Sequence, residues 1–303
     1  MPPTTISRRD HASGLADTEA RQVLDLAART AAADGAPALS EQFRLSLEAR
    51  ETDGVTHLLA YAGTPALVGY AQCRSAADAE PESAELFVAP SARRRGVGSA
   101  LLAALPSGAR VWSHGGDPDG AAAFAAARGL RPVRSLHLLG RSLRSGPAWP
   151  EPRLPQGYAV RSFEPGRDED AWLRANAAAF ASHPEQGSWD RHDLQLRMSQ
   201  PWFDPAGLIV VVPAAAPDDV AAFHWTKVDP PDGSRGEVYI LGVSPEHQGR
   251  GLGRVATVLG LEHLRERGLD DVVLYVDEDN PVALHTYRTL GFQGLEVHRQ
   301  YSR

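Results

Sequence analysis

The densest chemistry in the chain is the run Gln248-Gly-Arg-Gly-Leu-Gly253, which joins an apolar stretch to a helical one. Before it, Glu237 to Val243 (EVYILGV) has the β-branched and aromatic content of a strand; after it, Val255, Val258, Leu259 and Leu264 follow helical spacing. A glycine turn at that junction leaves several backbone N–H groups free to converge on an anion, and the positive end of the helix dipole favours phosphate there. Gly251 and Gly253 allow close backbone approach, and Arg250 can add charge-assisted hydrogen bonds. A pyrophosphate-bearing ligand fits this pattern. Gly251-x-Gly253-x-x-Ala256 also satisfies the loose dinucleotide fingerprint, with Asp277 downstream. Against that reading, seven residues separate Val243 from Gly251, whereas the dinucleotide turn follows its strand almost directly. No Lys-Ser or Lys-Thr follows the glycines, which excludes the phosphate loop of nucleotide triphosphatases.

The elements around the turn follow from local signals. Gly268 stops the helix, Asp271 to Val276 reads as a strand, and Asn280-Pro281 is a cap followed by a first-turn proline, opening a helix through Tyr287. A last strand follows Gly291. The same order recurs upstream, because Val88-Ala-Pro-Ser-Ala-Arg-Arg-Arg-Gly-Val-Gly-Ser99 overlays Val243 to Arg254 at one constant offset. Its elements are a strand at Glu85 to Val88, helices at Ser99 to Leu105 and Ala121 to Arg128, and a strand at Arg110 to Ser113. Repeats of this length are whole domains rather than solenoid units. The expected division is residues 1–145, a Pro-rich linker at 146–155, and residues 156–303. Each domain is expected to be an α/β layer with helices packed on a sheet.

Composition narrows the function. A chain of 303 residues with 43% hydrophobic content accommodates two cores, and a net charge of −7 argues against general affinity for nucleic acid or acidic membranes. No apolar run approaches the length of a membrane span. The single cysteine, Cys73, lies in the apolar run from Leu67 and reads as a small core residue. A reducing cytoplasm is the expected location. His183, His192, His247 and His285 show no ligand spacing, and the acidic loop 277–279 stands alone, so no metal is expected.

Two motifs together carry a family resemblance. Val243-x-Pro-x-x-Gln-Gly-Arg-Gly-Leu-Gly253 resembles the acetyl-CoA signature of the GNAT superfamily of N-acetyltransferases, and Asn280 with His285-Thr-Tyr-Arg-Thr-Leu-Gly-Phe292 resembles its second signature. The resemblance implies an α/β (α+β) fold of two tandem domains, each a mixed, mostly antiparallel sheet flanked by helices. It also implies acetyl-CoA as cosubstrate, held by Leu241, Gly242, Val243, Gln248, Gly249, Arg250, Gly251, Leu252, Gly253, Arg254 and Asn280. Such a reaction needs a neutral amine, donors for the thioester carbonyl and a proton for the departing thiolate. By resemblance Glu237 is the general base and Tyr287 the acid; on their own residues they read as a strand-end carboxylate and a helix-packing tyrosine. Strand alternation places Glu237 on one face with Tyr239, Leu241 and Val243.

In the first copy, Glu82 occupies the offset position of Glu237, and Ala125 that of Tyr287, so this copy is expected to be catalytically silent. Leu86, Phe87, Val88, Arg94, Arg95, Gly96, Val97, Gly98 and Ser99 keep the phosphate-binding part. They fit either a second acetyl-CoA site or a vestigial basic turn. The tandem arrangement and the segments 34–42 and 183–189 resemble a branch of the superfamily that acetylates a cysteinyl-glucosaminyl-inositol, a small thiol amino sugar. That resemblance assigns the acceptor to Glu41, Glu185, Lys227, Glu237 and Tyr275, and implies an actinobacterial source. The protein is expected to act as a monomer on a small molecule, without nucleic acid or membrane. Acetylation of another small amine or a protein N-terminus, and an acetyl-CoA-sensing role without turnover, are the competing readings.

Overall fold

The computed structural model describes residues 4–10, 14–49, 53–63, 65–75, 82–114, 118–181, 183–230 and 232–303. The first part of the chain forms β1 (Thr4–Arg9), α1 (Asp17–Asp34), α2 (Glu41–Ala49), β2 (Val55–Ala62), β3 (Leu67–Arg74), β4 (Ser83–Val88), α3 (Val97–Ala104), β5 (Arg110–Ser113), α4 (Pro118–Ala126) and β6 (Arg131–Ser142). The second part forms β7 (Tyr158–Ser162), α5 (Glu169–Ala179), α6 (Pro184–Gly187), α7 (Arg191–Met198), β8 (Leu208–Pro213), β9 (Ala222–Lys227) and β10 (Arg235–Val243). It then continues through α8 (Leu252–Glu266), β11 (Asp271–Asp277), α9 (Pro281–Thr289) and β12 (Gln293–Ser302).

Two compact units result: Met1–Leu136 with Val297–Arg303, and His137–Glu296. In the first, strands run in the order β1-β2-β3-β4-β5-β12, with β1 to β4 antiparallel, β5 parallel to β4, and Arg299 to Tyr301 antiparallel to β5. In the second, the order is β6-β11-β10-β9-β8-β7, antiparallel from β7 to β10 and parallel between β10 and β11. Both sheets are therefore mixed and mostly antiparallel. Their partition differs from the expected break at 146–155. The chain beyond His137 already belongs to the second unit, and the end of the chain completes the first sheet. The Pro-rich stretch packs rather than links: Trp149 lies between the guanidinium groups of Arg141 (4.5 Å) and Arg265 (5.0 Å), and Arg144 pairs with Asp270 and donates to Gly268 O.

Each sheet buries both faces. In the second unit, Val258, Leu261 and Leu264 of α8 and Leu284 and Tyr287 of α9 pack on Val238, Val272 and Leu274; opposite them, Trp172, Leu194 and Trp202 pack on Phe223, Trp225 and Ile240. The helix ends form where the sequence signals them. Gly251 opens α8 at φ +79°, Gly268 follows its end at φ +83°, and Asn280 Oδ1 accepts the Ala283 N–H at 3.1 Å ahead of Pro281.

One buried polar group ties β9 to α8. His224 Nδ1 donates to Ala256 O at 2.8 Å, and Gly260 makes room for the ring, since a Cβ there would lie 2.0 Å from it. Burial pushes the His224 pKa down to about 4. The imidazole is thus neutral in the fold and protonates once unfolded. Its contribution is complete above about pH 6.5 and is lost as pH falls from there toward 4, by about 3 kcal/mol at most. Urea unfolding at pH 7.5 and 4.5 should show a smaller acid-induced loss in His224→Gln than in the natural chain; equal losses would refute the assignment.

Candidate active site

The parallel pairing of β10 with β11 runs from Arg235 opposite Asp271 only to Val238 opposite Leu274. Beyond that point Tyr239 to Val243 has no register partner in β11, so the two strands part in the middle of the sheet. The other edge of β10 stays paired with β9 up to Val243, opposite Ala222. Leu241, Gly242 and Val243 therefore line a gap through the sheet, where strand backbone can receive an extended ligand. Leu86 to Val88 of β4 likewise extend past the last β5 pairing, Glu85 opposite Trp112.

A β-bulge lies where the gap begins. The β9 register steps from Val238 opposite Thr226 to Ile240 opposite Trp225, leaving Tyr239 as the extra residue. This corrects the face assigned by simple alternation. Gly236 and Val238 turn toward α8, Tyr239 and Ile240 both turn toward the aromatic core, and Leu241 and Val243 turn back toward α8. Glu237 thus shares its face with Tyr239 but not with Leu241 and Val243. The bulge also corrects the offset equivalence in the first copy. The β3–β4 ladder runs without a bulge from Gly69–Val88 to Arg74–Ser83, so the rung matching Glu237 holds Ser83, not Glu82.

Three of the acceptor candidates gather on the aromatic side. Lys227 stands directly across from Glu237, with its ammonium over the rings of Trp202 (4.9 Å) and Tyr239 (5.1 Å) and 3.6 Å from Asp229. Tyr275, 43% exposed, lies on the neighbouring strand, where partial burial and then the Glu237 charge raise its pKa. Glu41 belongs to the first unit, at the start of α2, 4.0 Å from Arg44. Glu185 falls on α6, and its side chain lies outside the described residues.

On the opposite face, the glycine turn meets the N-terminus of α8. Gly249 and Gly251 are left-handed at φ +74° and +79°, conformations that side chains disfavour, and a Cβ on either would meet nothing within 4 Å. The first helical N–H to find a carbonyl is that of Val255, at Gly251 O, so the N–H groups of Leu252, Gly253 and Arg254 have no carbonyl partner within α8. Gln248 Nε2 donates to Val243 O (3.3 Å), tying the turn to the strand. Arg250 donates to Tyr158 Oη (2.8 Å), and that hydroxyl also contacts His247 Nδ1 (2.9 Å). Asn280 sits at the head of α9, with its carboxamide oxygen committed to capping.

Tyr287 is 8% exposed in the α8–α9 core, edge-on to Phe292 with centroids 5.6 Å apart. Burial raises its pKa to about 12, so the phenol keeps its proton at neutral pH. Cys73 is buried and its thiol is pushed to about 12, first by burial and then by Glu82, which leaves it inert. Among the described residues, no group of three or more His, Cys, Asp or Glu is placed to hold a metal, and no helix is long and apolar enough to cross a membrane.

The first unit repeats the turn with different side chains. Arg94 takes the left-handed conformation of Gly249 at φ +59°, and Arg93 Nε donates to Val88 O as Gln248 does to Val243 O. Arg93 is also bound to Asp34 at 2.9 and 2.5 Å. Gly96 opens α3, while Ser99 in its first turn receives Arg128. Ala125, at the tyrosine position, is buried in the core with Val97.

Residues 170–292 match the Acetyltransferase (GNAT) family and residues 53–128 an Acetyltransferase (GNAT) domain. Over 292 residues, the chain is 48% identical to the mycothiol acetyltransferase of Thermomonospora curvata, with 95% of each chain covered. The chain belongs to the mycothiol acetyltransferase family. The Streptomyces avermitilis mycothiol acetyltransferase is 46% identical over 95% of this chain and 93% of its own. Among solved structures, a tandem GNAT protein from the clavulanic acid biosynthesis pathway has a TM-score of 0.73 at 21% identity, covering 99% of this chain and 98% of its own. A GCN5-related N-acetyltransferase from Sphaerobacter thermophilus has a TM-score of 0.67 at 21% identity, covering 100% and 96%. These two likenesses show the fold alone. Two tandem GNAT domains and membership of the mycothiol acetyltransferase family make the chain an acetyl-CoA-dependent acetyltransferase.

Sequence reasoning missed three side chains. Tyr239 is hidden because nothing in EVYILGV marks an extra residue in the ladder. Arg197 is 2% exposed and donates to Tyr239 Oη at 2.8 Å, although charged residues are seldom so buried. Tyr158, which holds Arg250, lies 92 positions from it and leaves no local signal.

Proposed function

We propose that the chain transfers the acetyl group of acetyl-CoA to the cysteinyl amino group of a cysteinyl-glucosaminyl-inositol acceptor, giving mycothiol, with the chemistry in the second unit. The observation that carries this reading is the gap between β10 and β11, with a carboxylate on one side and an anion-binding turn and a protonated phenol on the other. Pyrophosphate fits the N–H groups of Leu252 to Arg254, which have no carbonyl partner within α8, and the pantetheine arm fits the edge of Leu241 to Val243 that β11 leaves open. When bound, acetyl-CoA supplies the activated acyl group. Glu237, through water, takes the proton that makes the amine nucleophilic as the N–C bond forms. As the C–S bond breaks, the Tyr287 hydroxyl gives its proton to the sulfur. In the second unit, Glu185, Lys227 and Tyr275 are proposed to hold the acceptor hydroxyls and ammonium.

The first unit is proposed to bind acetyl-CoA without turnover. Arg94 stands in a left-handed conformation that costs a non-glycine residue about 1 kcal/mol, which the retained turn geometry supports. The protein is proposed to work as a cytoplasmic monomer. Incubation with acetyl-CoA and the acceptor, following thiol release and product mass, should give rapid N-acetylation, and equilibrium dialysis should give two acetyl-CoA per chain. Acetyl-CoA binding without turnover on this acceptor would reject the substrate, and one bound equivalent would reject the first-unit site.

A further inference from the structure

We infer that Arg197 and Tyr239 are positioning residues for Glu237, and that the guanidinium–phenol bond fixes the place at which β10 changes phase. Because side chains alternate along a strand, one extra residue decides which face everything beyond it occupies. With Tyr239 absorbed into a regular ladder against β9, Glu237 and Leu241 would share a face, and the carboxylate could not stand opposite the cofactor side. The bulge must therefore be held at residue 239 rather than sliding along the strand.

The structure holds it from three directions. Arg197 Nε donates to Tyr239 Oη at 2.8 Å; the Tyr239 ring meets Trp202 and Trp225 edge-on, at 5.1 and 5.5 Å; and the Lys227 ammonium lies over it at 5.1 Å. Arg197 is itself fixed: its guanidinium stacks 3.5 Å from the Trp189 ring centroid, and Nη1 donates to Asp193 O at 2.9 Å within α7. A guanidinium this deeply buried is costly to leave short of an acceptor, so the phenol oxygen is held firmly. Lys227 rests on the same ring and faces Glu237 across the ladder, so the pin also bears on a cation opposite the carboxylate.

The inference rests on Glu237 being the base of the proposed reaction, and its test separates the two. Tyr239→Phe keeps the ring and removes the pin; Arg197→Lys keeps the charge and loses the planar donor. At saturating acetyl-CoA, each should lower kcat/KM for the acceptor by about tenfold, the usual scale for losing a hydrogen bond to a charged group. In a Glu237→Gln background, Tyr239→Phe should change the residual rate by less than about twofold, because the residue acts through a base already removed. Equal losses in both backgrounds, or natural activity in both single variants, would overturn the inference while leaving the base assignment intact. Undiminished activity of Glu237→Gln would overturn both.

Discussion

Replacing Glu237 by glutamine is expected to lower kcat by about 10²- to 10⁴-fold, the range that a positioned general base supplies. Glutamine keeps the length of the side chain and its place opposite Lys227, but it cannot accept a proton. The acceptor amine is an α-amino group, with an ordinary pKa near 8, and therefore arrives mostly as ammonium at neutral pH. The variant should lose rate without losing acetyl-CoA affinity, because the glycine turn proposed to hold the pyrophosphate lies on the other face of the sheet. Raising the pH supplies free amine from solution, so the deficit should narrow toward pH 9. A variant with half the natural kcat at pH 7, or a deficit that does not depend on pH, would assign Glu237 to substrate binding alone.

The second large effect is expected at Tyr287→Phe. The ring is packed in the α8–α9 core and edge-on to Phe292, so phenylalanine fills the same space and the fold should tolerate it. On the proposed mechanism the proton for the departing sulfur disappears, and kcat should fall by about 10²-fold with little change in unfolding midpoint. The sign of the pH dependence follows from the raised pKa. A group held to about 12 donates at every pH below that, so the natural rate should stay level through pH 9 to 10 on this account. Slow acetyl transfer with unchanged folding confirms the acid; a fall in rate matched by a fall in stability would make Tyr287 a packing residue.

Elements whose determinants are local could be read from the sequence. The cap at Asn280, the stop at Gly268 and the left-handed glycines of the turn each depend on residues within one turn of chain. The repeat revealed both domains because the turn and its helix are copied together. Two features escaped, and each depends on contacts between residues well separated along the chain. The bulge lies at Tyr239, whose ring and hydroxyl meet Arg197, Trp202 and Trp225 from elsewhere in the chain, so alternation along β10 alone gives the wrong phase and pairs Glu82 instead of Ser83 with Glu237. The partition of the chain was missed because proline content marks a linker only where nothing packs on it, and Trp149 is packed between two arginines.

That partition governs how the chain comes off the ribosome. Synthesis runs from the N-terminus, and domains ordinarily fold as they emerge. Here the first unit lacks its sixth strand until Val297–Arg303 has been made, after the whole second unit. Until then the edge of β5 presents unpaired backbone groups, the kind of template on which strands of neighbouring chains assemble. The second unit, by contrast, already has His137 and the rest of β6 when its last helix appears. The second unit can therefore mature first, and a chain interrupted just after Glu296 would carry a finished second unit and an unfinished first one.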